Sequence, residues 1–243
     1  MNQNVAAVQD LHLRMGFETP LDYPEDSLSK PLTDWKMETD DSPIFRYLYR
    51  NIQPRRHLEF GTWLGNGALY CLEECSATVW TINLYDGEYE PDGRWAYHSP
   101  LSDIPDIPAW AATKENAVQT DSYGFIGRHF HDKGLGHRVC QIYCDSRCWD
   151  TSNYPPDFFD TVLVDGGHSE DAVLGDTQKA LSVLRSGGIM MWHDFCPDPK
   201  VLSACSSTQG VMNAIQKNWA ALNAEMRDLF WIKPSWILLG IKK

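Results

Sequence analysis

Residues 158–195, FFDTVLVDGGHSEDAVLGDTQKALSVLRSGGIMMWHDF, constrain the fold more than any other stretch of the chain. Thr161 to Val164 is a short β-prone apolar run that stops at Asp165-Gly166-Gly167-His168, and Ile189 to Trp192 is a second that stops at His193-Asp194. Between them Ala172, Val173, Thr177, Ala180, Leu181 and Leu184 recur at helical spacing. Ser169 is placed to cap this helix, Glu170 and Asp171 suit the dipole of its first turn, and Gly187-Gly188 is expected to end it. A strand-helix-strand unit of this length closes as a right-handed parallel crossover, which puts both strand ends on one edge of the sheet. Ligands of open α/β sheets sit outside the carboxyl ends of the strands, so Asp165, His168, His193 and Asp194 become candidates for one shared site.

With 243 residues, 43% of them hydrophobic and 22% charged, the chain has the material for one large α/β domain with an irregular flap. A formal charge of -12 argues against nucleic acid as a partner, because binders of phosphate backbones need a basic stripe. The first residues, MNQNVAAVQDLHLRMGF, lack the basic leader and apolar core of a signal peptide. No run approaches the ~20 apolar residues of a membrane span, so the expectation is a cytoplasmic protein with no membrane partner. Seven cysteines without zinc-ribbon spacing are expected to be free thiols in a reducing compartment. The sequence leaves room for a homo-oligomer.

Residues 1–41 begin with a short helical pattern and become acidic and proline-punctuated, which reads as an extended arm outside the core. Ser42-Pro43 then opens a helix carrying Ile44, Phe45, Leu48 and Ile52. His57 to Phe60 is a strand running into Gly61-Thr62-Trp63-Leu64-Gly65-Asn66-Gly67, followed by a helix over Ala68 to Glu74. Such a turn lets backbone approach a ligand and presents helix N–H groups to an anion, but it serves equally as a tight strand-to-helix connection. Thr78 to Ile82 and Val139 to Tyr143 read as further strands, the first ending at Asn83 and the second at Cys144-Asp145-Ser146. The long aromatic segment 87–136, with Trp95, Tyr97, Trp110, Tyr123 and Phe125, reads either as a substrate lid or as cover for a sheet face. Val211, Met212, Ile215, Trp219, Leu222 and Met226 predict one long amphipathic helix, and Leu229 to Ile232 with Trp236 to Ile241 predict an antiparallel hairpin.

Taken in order, Glu59-Phe60-Gly61-Thr62-Trp63-Leu64-Gly65, the strand ending at Asn83, Asp145-Ser146, Asp160 to His168 and Trp192-His193-Asp194 resemble the class I S-adenosylmethionine-dependent methyltransferases. Within them the DG-x-H helix start and terminal HD resemble methyltransferase family 24. The resemblance covers residues 42–243 and is most specific over 160–195. It implies a Rossmann-like three-layer α/β sandwich whose seven-stranded sheet is mostly parallel with an antiparallel last strand. It also implies S-adenosylmethionine (SAM) as cofactor, a SAM-binding domain over 42–243, residues 1–41 as an N-terminal arm or lid, and 87–136 as a substrate lid. Carried over by position, Glu59, Gly61, Thr62 and Gly65 would surround the methionine portion, Asn83 the ribose, and Asp145 with Ser146 the adenine, with Asp165 beside the cofactor. Asn83 departs from the acidic residue usual at its position, and one amide oxygen cannot serve two ribose hydroxyls as a carboxylate does, which leaves Asp86 and Glu88, shortly after it, as alternatives for that contact.

Methyl transfer from a sulfonium to a hydroxyl needs alignment and removal of the acceptor's proton. His168 with Asp165 is a candidate base, its alternative being a capping or packing role at the helix start. Asp165, His193 and Asp194 are candidate ligands for a divalent metal such as magnesium or manganese that would lower the acceptor's pKa, the alternative for Asp194 being structural hydrogen bonding. The expected activity is O-methylation of a small hydroxylated molecule. Two rivals stay open: a SAM-consuming lyase or cyclase releasing methylthioadenosine, and a SAM-binding protein without catalysis.

Overall fold

The computed structural model describes residues 4–84 and 126–243. Among them eight strands form one sheet: β1 (Val5–Ala7), β2 (Arg56–Phe60), β3 (Thr78–Asn83), β4 (Val139–Tyr143), β5 (Phe159–Val164), β6 (Leu184–Trp192), β7 (Met226–Lys233) and β8 (Ile237–Lys242), in the order β1-β7-β8-β6-β5-β2-β3-β4. Every pairing is parallel except those of β8, which runs antiparallel to both β6 and β7. The described helices are α1 (Leu11–Met15), α2 (Glu25–Ser29), α3 (Ser42–Ile52), α4 (Asn66–Glu74), α5 (Arg128–Asp132), α6 (Glu170–Val183), α7 (Pro199–Ala204), α8 (Ser206–Lys217) and α9 (Trp219–Glu225).

Alternation along the central strands makes the three layers. Val162, Val164, Met190 and Trp192 face a core shared with Val173 and Ala180 of α6 and Val211 and Ile215 of α8, while Leu163 and Met191 face the opposite core with Ile44, Phe45 and Leu48 of α3. A strand buried on both faces reads as a continuous apolar run, as β5 does. Trp192 is fully buried with its indole N–H donating to Thr177 Oγ1 at 2.9 Å, so the large side chain is packed without stranding its polar atom.

Three expectations are corrected. The N-terminal segment is no arm outside the core: β1 adds an eighth strand beside β7, and Val8, Leu11, Tyr23 and Trp35 are buried in the α3 core. Its anchor is Asp40, whose buried carboxylate accepts from Ser27 Oγ, Lys30 Nζ, the Lys36 amide and Thr39 Oγ1. Gly187 and Gly188 do not end the crossover helix. The helix stops at Val183, and the glycines lie inside β6, where Gly187 takes φ +67° near a register shift. The single long C-terminal helix is two, α8 and α9, separated at Asn218, and Met226 already belongs to β7. Ser169 does cap α6, accepting from the Ala172 amide. The segment 85–125, with Asp86, Glu88 and all five aromatics noted in it, lies outside the described residues.

Candidate active site

The carboxyl ends of β5, β2, β3 and β4 lie side by side, and most of the sequence-derived residues sit along this edge. At the end of β2, Gly61 has φ +90°, and a Cβ there would stand 1.9 Å from the Asp165 carbonyl oxygen, so the two strand ends approach as closely as only glycine permits. The turn is held from β3. Asn83 Oδ1 accepts from the Thr62 and Trp63 amides at 3.0 and 3.1 Å, and its Nδ2 donates to Leu84 O. The residue assigned to the ribose therefore spends its one oxygen bracing the glycine turn. Thr62 turns its hydroxyl inward to Thr81 Oγ1, 2.5 Å away, and Gly65 makes room for the Phe130 ring. Glu59 is buried beneath the turn with Oε2 lacking a hydrogen-bond partner, and burial, with the nearby charge of Asp165, pushes its pKa well above the usual carboxylate range.

One strand over, the end of β5 and the end of β6 bring four ionisable residues together. His168 Nε2 lies 2.7 Å from Asp194 Oδ2 and 3.8 Å from Asp165 Oδ1. His193 Nδ1 lies 3.2 Å from Asp165 Oδ1. Asp194 holds φ +56°, a conformation that aspartate tolerates better than most residues. A fifth residue joins from the N-terminal segment: Asp41 Oδ2 is 3.0 Å from His193 Nε2, while its Oδ1 accepts from the Trp35 indole and the Trp236 amide. Asp41 ends the acidic segment 1–41 that the sequence reads as an extended arm. The aromatic Trp35 amid those acids was the available signal that this segment is packed.

The cluster sets its own charge states. Burial works against an ionised Asp165, yet the imidazoles of His193 and His168 outweigh it and hold the carboxyl down at about 2. Burial likewise disfavours the His168 imidazolium, but Asp194 and Asp165 raise it to about 10. His193 is raised well above the ordinary histidine value by Asp165, Asp194 and Asp41 against the same burial cost. The carboxylates thus favour the cationic form of both imidazoles, and His168 is held as an imidazolium beside them instead of standing as a free base.

Among the described residues, Asp165, His168 and Asp194 form the group whose ligand atoms all lie within 4.8 Å of one another. The histidine of this set differs from the expected one, because both ring nitrogens of His193 face carboxylates. His168 Nε2, by contrast, is buried and makes no hydrogen bond of normal geometry despite its proximity to Asp194. Once deprotonated, this imidazole nitrogen between two carboxylates would suit a borderline divalent cation, which would displace its proton on binding. At the far end of the edge, Asp145 caps a turn at Ser146 and is paired with the Arg147 guanidinium, which holds its carboxyl below the usual value. Asp145 and Ser146 therefore lie three strand spacings, roughly 14 Å, from the Asp165 strand.

Residues 58–195 match methyltransferase family 24, described as a methyltransferase domain. The chain belongs to this methyltransferase family. No curated protein matches it. Among solved structures the methyltransferase is similar to the S-adenosylhomocysteine-bound methyltransferase PaMTH1 of Podospora anserina, at 19% identity and a TM-score of 0.53 over 91% of this chain and 82% of that one. It is also similar to an O-methyltransferase of Bacillus cereus in complex with S-adenosylhomocysteine, at 14% identity and 0.54 over 97% of each chain. The O-methyltransferase TomG of Streptomyces achromogenes, involved in tomaymycin synthesis and solved with SAM, matches at 14% and 0.51 over 97% and 87%. At these identities the likeness establishes a Rossmann-like methyltransferase fold.

Proposed function

We propose that this methyltransferase uses SAM to methylate an oxygen of a small hydroxylated molecule at the edge formed by β2, β5 and β6. The observation carrying the reading is the close junction of Gly61 with Asp165, which sets the glycine turn after β2 beside a cluster of carboxylates and imidazoles. SAM or its product is bound in the solved relatives named above, most of them O-methyltransferases. When bound, SAM supplies a methyl group already activated on a sulfonium. The chain's part is to align that group and to manage the acceptor's proton.

The glycine turn after β2 would hold the methionine portion, with the carboxylate of Asp165 beside the cofactor and Asp145 and Ser146 at the adenine end. The Asp145 carboxylate would have to exchange its Arg147 partner for an exocyclic amine. Asn83 and Thr62 act one step back, by holding the shape of the turn. His168 could take the acceptor's proton only after its imidazolium, stabilised by Asp194 and Asp165, had given up its own proton to solvent. The donor set fits a divalent ion: held by Asp165, His168 and Asp194, it would lower the acceptor's pKa in place of a free base. His193 would then serve as a partner of the ligand Asp165.

The test is calorimetry with SAM and S-adenosylhomocysteine, followed by incubation with SAM and a panel of phenols and aliphatic alcohols, with and without magnesium or manganese. Binding together with S-adenosylhomocysteine formation that depends on an acceptor is the expected result. Absence of binding would overturn the reading, and methylthioadenosine released from SAM alone would replace it with the lyase reading.

A further inference from the structure

Asp41 precedes the family-matched residues 58–195, yet it delivers a carboxylate to the same site. It is fully buried and its oxygens are divided. Oδ1 accepts from Trp35 Nε1 at 2.7 Å and from the Trp236 amide at 3.3 Å, which leaves Oδ2 aimed at His193 Nε2, 3.0 Å away. The other ring nitrogen reaches Asp165 Oδ1 at 3.2 Å. The imidazole is confined between these groups by the Phe45 ring, with centroids 6.0 Å apart, and by its own backbone, whose amide donates to Val164 O.

We propose that Asp41 is a positioning residue of the active site: through the ring of His193 it fixes the orientation of the Asp165 carboxylate, making the N-terminal segment part of the working site. The inference rests on the preceding reading only in taking Asp165 as a site residue. A carboxylate's terminal torsion is soft, so an isolated Asp165 would sample many orientations. A donor locked against one oxygen selects among them and leaves the other for a ligand, as outer partners do for the groups they orient. Trp35 and the Trp236 amide lock Asp41 in turn, so the chain of contacts runs from the N-terminal segment and the β7–β8 hairpin into the cleft.

Asp41→Asn keeps an oxygen for Trp35 and Trp236 but turns an amide NH2 toward His193. In proton NMR the deshielded ring N–H signals of His193 are assigned by their loss in His193→Gln. Asp41→Asn should remove the Nε2 signal and shift the Nδ1 signal that reports the bond to Asp165. It should also weaken S-adenosylhomocysteine binding about tenfold, an effect that vanishes in an Asp165→Asn background. A lowered denaturation midpoint with the Nδ1 signal unmoved, or an equal loss of affinity with and without Asp165, would show a merely structural role and overturn the proposal. Should Asp41→Asn fail to fold, Trp35→Phe removes one anchor of Asp41 and is read the same way. If the native chain binds no S-adenosylhomocysteine, the functional reading fails while the ring signals still decide the positioning.

Discussion

Asp40 and Asp41 are neighbours in sequence with opposite tasks, and their environments separate them. Asp40 collects four donors; burial opposes its charge, but Lys30, the Lys36 amide, Ser27 and Thr39 hold its carboxyl below the usual value. Asp40→Asn should cost about 2 kcal/mol at neutral pH, read as a lower urea midpoint. Because the folded value lies below the unfolded one, this contribution is complete above the unfolded value and is lost as pH falls through the folded value. The gap between the native chain and Asp40→Asn should therefore narrow from pH 7 toward about pH 3. At Gly61, alanine would combine φ +90° with a Cβ 1.9 Å from the Asp165 carbonyl. We expect Gly61→Ala to lose about 2 kcal/mol or more and to abolish S-adenosylhomocysteine binding in calorimetry. Asn83→Asp keeps the acceptor for the Thr62 and Trp63 amides but sets an oxygen against Leu84 O in place of the Nδ2 donor, so the turn should loosen and stability fall by about 1 kcal/mol in urea denaturation.

At the scale of elements, hydrophobic period and capping carried the reading where one element dominates its own surroundings. β5 and the start of α6 were legible because a continuous apolar run, a capping serine and two acids agree. What local pattern does not encode is where pairing overrides it. Gly187-Gly188 looks like a helix stop, but Leu184 already pairs with Phe159, and the glycines absorb the resulting register shift. The α8–α9 break was hidden because its apolar residues keep helical spacing across Asn218. The site divides in the same way. Asp165, His168, His193 and Asp194 followed from strand ends, whereas the inward roles of Asn83 and Thr62 depend on contacts between β2 and β3 that spacing cannot reveal. Trp192 tests the packing of the crossover: Trp192→Phe leaves Thr177 Oγ1 without its buried donor and opens space beside α6, which should lower stability by about 2 kcal/mol in chemical denaturation.

The molecule as a whole is wider than its family-matched region. A chain beginning at Ser42 would uncover β7, lose Val8, Leu11 and Trp35 from the core, and leave His193 without Asp41. Such a truncation should lose its cooperative thermal transition and elute as aggregates in size-exclusion chromatography. No helix among the described residues is long and apolar enough to cross a membrane. The pairing of Val5 with Trp231 also dictates an order of events on the ribosome. β1 is made long before β7, so it must wait while β2 to β6 and their helices are synthesised, with its pairing groups unspent. Translation pauses or chaperone contacts around β1 should therefore influence the yield of this methyltransferase more than equal disturbances around β2 and β3, which pair with each other.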